Sequence, residues 1–109
     1  MAGTRTAACL VLVTCPARHA PRIASALVKR RVAACVNVLP GIQSVFRWQG
    51  KVEEAAESLL LIKTTRRRYR ALERAVRELH PYELPEVIAL SIPRGFPPYL
   101  AWLAQAVSP

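Results

Sequence analysis

The chemistry this sequence can offer rests on few residue types: two histidines, three cysteines and seven acids, all of them glutamate. His80 stands directly before Pro81 and Tyr82. An imidazole there serves either as a ligand for copper or zinc or as a helix-end group bonded to the last carbonyls. Cys35 lies between Ala34 and Val36 in an apolar stretch. Its thiol is either buried and inert or a soft ligand suited to Cu(I). Glu57, Lys63, Tyr82, Glu83 and Glu86 supply further polar groups. Lys63 interrupts an apolar run, and a buried ammonium needs a carboxylate partner, which Glu57 or Glu86 can provide. That set is either a structural ion pair or a pocket for an anion or a metal. The aromatic residues Phe46, Trp48 and Trp102 suit packing at a subunit interface, where aromatics are enriched. No Ser–His–acid set, phosphate loop or HExxH string is present, and two histidines give little acid–base capacity. The expectation is a protein that is not an enzyme.

The elements that must hold these groups follow from periodicity. Residues 7–14 are apolar and β-branched enough for a buried strand. From about His19 to Arg31, the residues Ala20, Ile23, Ala24, Leu27 and Val28 recur at helical spacing. Pro21 is tolerated only in a first turn, so it fixes the start of that helix. Lys29, Arg30 and Arg31 close it at the negative end of its dipole. Val32 to Val38 reads as a second strand, with a bend or bulge at Pro40-Gly41 and extended chain again from Ile42 to Trp48. Gln49-Gly50 is a two-residue hairpin turn, and the return strand runs from Lys51 to about Thr65. An arm of about fifteen residues at ~3.3 Å each extends ~50 Å, more than a core this small can cover. The hairpin must therefore bend or pack on another chain. Tyr69, Leu72, Val76 and Leu79 form the stripe of a second helix that stops at His80-Pro81. Glu86 to Ile92 is the last strand, and after a loop at Pro93 to Pro98 a short amphipathic helix carries Tyr99 and Trp102. The fold class expected is α+β, a ferredoxin-like βαββαβ sandwich with a long hairpin between its second and third strands and a C-terminal helix. Residues 1–109 make one domain.

Composition narrows the function classes. No apolar run reaches the ~20 residues that cross a bilayer, so no membrane partner is expected. The segment Met1 to Thr14 has a faint likeness to a signal peptide, but Pro16 and a charged helix follow it, and it reads as part of a first strand. Three cysteines without metal-type spacing fit reduced thiols and a cytoplasmic protein. The net charge of +9 invites a nucleic-acid reading. The strongest basic run, Arg66-Arg67-Arg68-Tyr69-Arg70, spreads around a helix, and Glu73–Arg77 and Arg74–Glu78 stand at i,i+4 spacing. A solvated helix face is expected there, with no specific nucleic-acid partner.

Several strings, in order, resemble one family. Arg31-Val-Ala-Ala-Cys-Val-Asn37 with Leu39-Pro-Gly41, then Trp48-Gln-Gly-Lys51, Leu61-Ile-Lys-Thr64, His80-Pro-Tyr-Glu83 with Pro85-Glu86, and Tyr99-Leu-Ala-Trp102 are similar to signatures of the CutA divalent-cation tolerance family. The resemblance covers about residues 8–107. It implies a ferredoxin-like homotrimer linked to divalent metals such as copper, with no established reaction. It also implies, for some relatives, a copper site built from a first-strand cysteine and two adjacent histidines before the proline. The matching positions here are Val13 and Leu79, leaving His80. Cys15 lies near the first-strand position but not on it. The metal candidates are thus His80 and Cys35; the cleft candidates are Glu57, Lys63, Tyr82 and Glu86. The alternative function is a small-molecule-binding, signalling-type trimer with ligand clefts between subunits.

Overall fold

The computed structural model describes residues 6–109; the first five positions of the N-terminal segment lie outside the described residues. Its elements are β1 (Ala8–Cys15), α1 (Ala20–Lys29), β2 (Cys35–Trp48), β3 (Lys51–Thr65), α2 (Tyr69–Leu79), β4 (Ile88–Ser91) and α3 (Pro97–Ala106), with single 3-10 turns at Ala17–His19 and Arg66–Arg68. The order βαββαβ followed by a helix is the expected one. The four strands form one sheet in the order β2-β3-β1-β4, and every neighbouring pair is antiparallel. β1 and β2, joined through α1, are separated by β3, which is the split crossover of the expected α+β arrangement.

Strand alternation divides the sheet into two unlike faces. In β1, Cys9, Val11, Val13 and Cys15 are buried, while Leu10, Leu12 and Thr14 between them are only half-buried. Leu60 and Ile62 of β3 join the buried set, and Ile23 and Leu27 of α1 with Leu72, Ala75 and Val76 of α2 close over it. Both helices therefore cover one face, and the periods of two and 3.6 meet in one core. On the opposite face the ladder aligns Lys63, Leu10 and Leu90 in one row and Leu61, Leu12 and Ile88 in the next. Only one end of that face is covered, where Ala8 and Ala34 pack with Leu103 of α3 and Val107 just beyond its end.

The hairpin turn has the geometry its sequence asks for. Gln49 (φ 51°) and Gly50 (φ 80°) are both left-handed, the pattern of a type I′ turn that matches the twist of the strands. The expected break at Pro40-Gly41 is a bulge within a continuous strand: the β2–β3 register shifts between Leu39 and Ile42, and Gly41 takes φ 77°. Beyond the bulge the arm is bare, with Val45 and Val52 62% and 65% exposed.

Four expectations need correction. The second strand begins at Cys35, not Val32, because the preceding residues finish α1: Arg31 is left-handed (φ 60°), and the Val32 and Ala33 N–H groups both donate to the Leu27 carbonyl. β4 is shorter than Glu86 to Ile92, since its ladder with β1 runs only from Ile88 to Ser91. The C-terminal helix begins inside the expected loop, with Pro97 and Pro98 in its first turn, where a missing N–H costs nothing. The pairs Glu73–Arg77 and Arg74–Glu78 do not form. Glu78 instead takes Arg30 of the neighbouring helix at 2.8 Å, and Glu73 accepts from the Tyr69 hydroxyl at 3.2 Å.

Candidate functional site

The expected site residues fall into three places. At the end of β1, the segment after α2 crosses toward β4 and opens a cleft of about 1050 Å³ against the hairpin. Its walls include Phe46, Trp48, Glu57, Tyr82, Glu83 and Glu86, so six of the sequence candidates converge there. Antiparallel pairing brings the outer hairpin back over its own return strand, and the facing segment bends through residues 81–84 outside any helix or strand.

The floor of the cleft is a hydrogen-bonded chain. The α2 helix ends because His80 is extended (φ −78°, ψ 137°), which turns its ring inward. The Tyr82 N–H donates to His80 Nδ1 at 3.1 Å, so the ring carries its proton on Nε2 and donates to the Thr14 carbonyl at 2.7 Å. The Tyr82 ring lies 4.7 Å from the imidazole, centroid to centroid, and its hydroxyl donates to Glu57 Oε2 at 2.7 Å. Ser44 Oγ donates to Glu57 Oε1 at 2.5 Å. Glu57 is only 5% exposed, so both carboxylate oxygens are desolvated and held by neutral donors. Burial, then the hydrogen bond to Glu57 and its negative charge, push the Tyr82 phenol up to about 12. Cys15, two residues after Val13 and on the same buried face, is pushed up by burial and by Glu57, which keeps it a neutral thiol.

Lys63 and Cys35 lie elsewhere. They face each other across the β2–β3 ladder in the row of Leu10, four residues back along β1 from Thr14, or ~13 Å at 3.3 Å per residue. The expected carboxylate partner of Lys63 is not there: its ammonium donates to Asn37 Oδ1, on the neighbouring strand. The Cys35 thiol is 3.9 Å from the same oxygen. Half-burial, not full burial, explains why an amide oxygen suffices for this lysine. Trp102 is apart from the cleft, tilted against Tyr99 at 5.5 Å.

The geometry does not fit a resident metal centre within one chain. Both nitrogens of His80 are engaged, so a metal would have to displace the Thr14 carbonyl or the Tyr82 N–H. Among the described residues no three of His, Cys, Asp and Glu cluster closely enough to hold an ion. Sequence reasoning did not single out Ser44, Thr14 and Asn37. Small polar residues carry no signal of their own until pairing brings them against a carboxylate, an imidazole or an ammonium.

Comparison with known proteins agrees with the strings quoted above. The family model for the CutA1 divalent ion tolerance protein matches residues 9–106. A divalent-cation tolerance protein CutA from Thermus thermophilus is 50% identical over 97 residues, covering 88% of this chain and 94% of that protein. The mouse Protein CutA is 51% identical over 94 residues; the match takes in 85% of this chain but only 53% of the mouse protein, so the chain spans about half its length. Among solved structures, the Thermus thermophilus divalent cation tolerance protein superposes with a TM-score of 0.90 at 47% identity, covering 93% of this chain and 99% of that one. A Nostoc protein described as a PII-like CutA, solved in its apo form, gives 0.87 at 31% identity, covering 92% and 97%.

Proposed function

The chain belongs to the CutA1 divalent ion tolerance family, and from that premise we propose that it acts as a homotrimer in the tolerance of divalent cations, copper first among them. The observation that carries the trimer is the half-bare sheet face. Leu39, Ile88 and Leu90 on it are each about half exposed, beside half-buried Leu10, Leu12, Leu59 and Leu61. An apolar surface this continuous marks an interaction site. The outer edges of β2 and β4 carry unpaired backbone groups, which a closed three-fold ring satisfies equivalently in every subunit. Light scattering at micromolar concentration should give about three times the mass of one chain; a monomer mass rejects the assembly.

The donor set argues for a response to metal through weak contacts, not through a tightly held ion. Calorimetry with Cu(II) should give low affinity, and a nanomolar site would overturn this. Three unpaired cysteines, two of them buried, suit a reducing cytoplasm. The exposed arginines of the helix layer are spread among half-buried residues without aromatic stacking partners. Only weak, salt-sensitive retention on DNA is therefore expected.

A second reading is supported by the cleft itself: a small-molecule-binding, signalling-type trimer. A concave site with aromatic walls and a few convergent polar groups is the usual form of a ligand pocket. A thermal-shift screen of copper, zinc and small molecules separates the two, since a ligand of the folded state alone raises its apparent stability.

A further inference from the structure

We infer that the cleft between the β2–β3 hairpin and the 81–86 segment binds an organic cation, an ammonium or guanidinium group on an apolar body. The inference rests on reading that cleft as a ligand site and adds the ligand's chemical class. The first observation is charge segregation. The chain has sixteen lysines and arginines against seven glutamates, yet four of those glutamates, Glu53, Glu57, Glu83 and Glu86, line the cleft, and among the described residues no lysine or arginine does. An acidic concavity in so basic a protein concentrates cations and repels anions.

The second observation is independent of that count. Glu57 is buried, and among the described residues only two neutral hydroxyls, those of Ser44 and Tyr82, reach it. A carboxylate has about four lone-pair sites, so two bonds leave acceptor capacity unused, and among the described residues no cation within ion-pair distance balances its charge. Buried charges are ordinarily paired with a counter-charge. The chain has cations in excess, and among the described residues none is brought to this carboxylate. A cation from outside would complete the site.

The walls decide which kind of cation. Phe46, Trp48 and Tyr82 line the same space. Aromatic faces attract ammonium and guanidinium groups and bury the hydrocarbon attached to them. A cleft of about 1050 Å³ is the size of a small-molecule pocket and far larger than a bare ion needs. A hard divalent ion would demand a shell of six or more oxygens, and no such cluster of ligands is present among the described residues.

Calorimetry on the full chain near neutral pH tests this with three probes of matched size: phenethylammonium, 2-phenylethanol and 3-phenylpropionate. Phenethylammonium should bind at least tenfold more tightly than the neutral alcohol, and the carboxylate should bind least. Glu57→Gln keeps the shape and an acceptor for Tyr82, and it should abolish the tenfold preference; Glu73→Gln, on α2 outside the cleft, should keep it. Trp48→Leu, read on protein whose light-scattering mass matches the parent chain's, should weaken phenethylammonium severalfold, so the test survives even if Glu57→Gln misfolds. Equal binding of alcohol and ammonium, or preference for the carboxylate, overturns the cation and leaves the ligand cleft standing. No heat from any probe at millimolar concentration overturns both. Stoichiometric displacement of phenethylammonium by Zn(II) reassigns the site to metal and overturns the inference as well.

Discussion

Leu60 and Leu61 are adjacent on β3, identical in type, and turned to opposite faces of the sheet. Leu60 is fully buried under α1 and α2, whereas Leu61 lies half-covered in a row with Leu12 and Ile88. The strands carry apolar residues on both sides; what differs most is the cover. One face is closed by helices from the same chain, and the other has only α3 across one end. Under the trimer proposed above, the apolar residues of the uncovered side are the ones a neighbouring subunit would bury. The contrast separates folding, which the helix face drives, from assembly, which the open face can drive.

The largest effects should come from the closed side. Leu60→Ala should lower the free energy of denaturant unfolding by about 2–5 kcal/mol, since it deletes buried methyl groups where neighbours cannot collapse. Next, Leu61→Lys should leave far-UV circular dichroism intact but convert the light-scattering mass from trimer to monomer. A variant that stays trimeric would move assembly away from the open face. Equal loss of fold from both substitutions would erase the distinction between the faces.

Smaller effects should come from the polar floor of the cleft, which lies on the open side. Tyr82→Phe removes one bond to a desolvated carboxylate and should cost about 1–3 kcal/mol, with Tyr82→Leu costing more through the lost ring contact with His80. In alkali, the Tyr82 phenol resists ionisation, pushed up to about 12 from an ordinary value near 10. A group whose pKa is higher in the folded state stabilises fully below pH ~10, and that contribution fades as pH rises toward 12. Ultraviolet titration of the phenols should show the highest-pKa step missing in Tyr82→Phe. If the step that is lost is instead an ordinary one near pH ~10, the Tyr82–Glu57 bond is not held in solution. The smallest change belongs to the helix layer: Arg30→Ala should cost less than about 1 kcal/mol, because its pair with Glu78 is solvent-exposed on both sides.

Much of the fold was legible, and the misses share a cause. Tyr69, Leu72, Val76 and Leu79 predicted α2 to its last residue, because their spacing and the proline after His80 act within a few residues of each other. The start of β2 was not legible from Val32-Ala33-Ala34, which looks like strand; only the bonds from the Val32 and Ala33 N–H groups back to the Leu27 carbonyl show that this stretch still closes a helix. The i,i+4 spacing of Glu73 and Arg77 was correct arithmetic. Yet Glu73 went to Tyr69 and Glu78 to Arg30, a residue 48 positions away. Lys63 found Asn37, a partner set by ladder register.

The sequence by itself determined the order of elements, the alternation that gives each strand two apolar faces, and the hairpin turn at Gln49-Gly50. Each depends on dihedral preferences and side-chain periods that act over a few residues. Only the tertiary structure decided which face the helices cover, and that four of the seven glutamates meet Phe46, Trp48 and Tyr82 around one cleft. Thr14, Ser44, Glu57 and Tyr82 lie far apart along the chain. Their meeting is fixed by strand order, by the bulge at Gly41 and by the turn of His80 out of α2, none of which is a property of any one stretch of sequence.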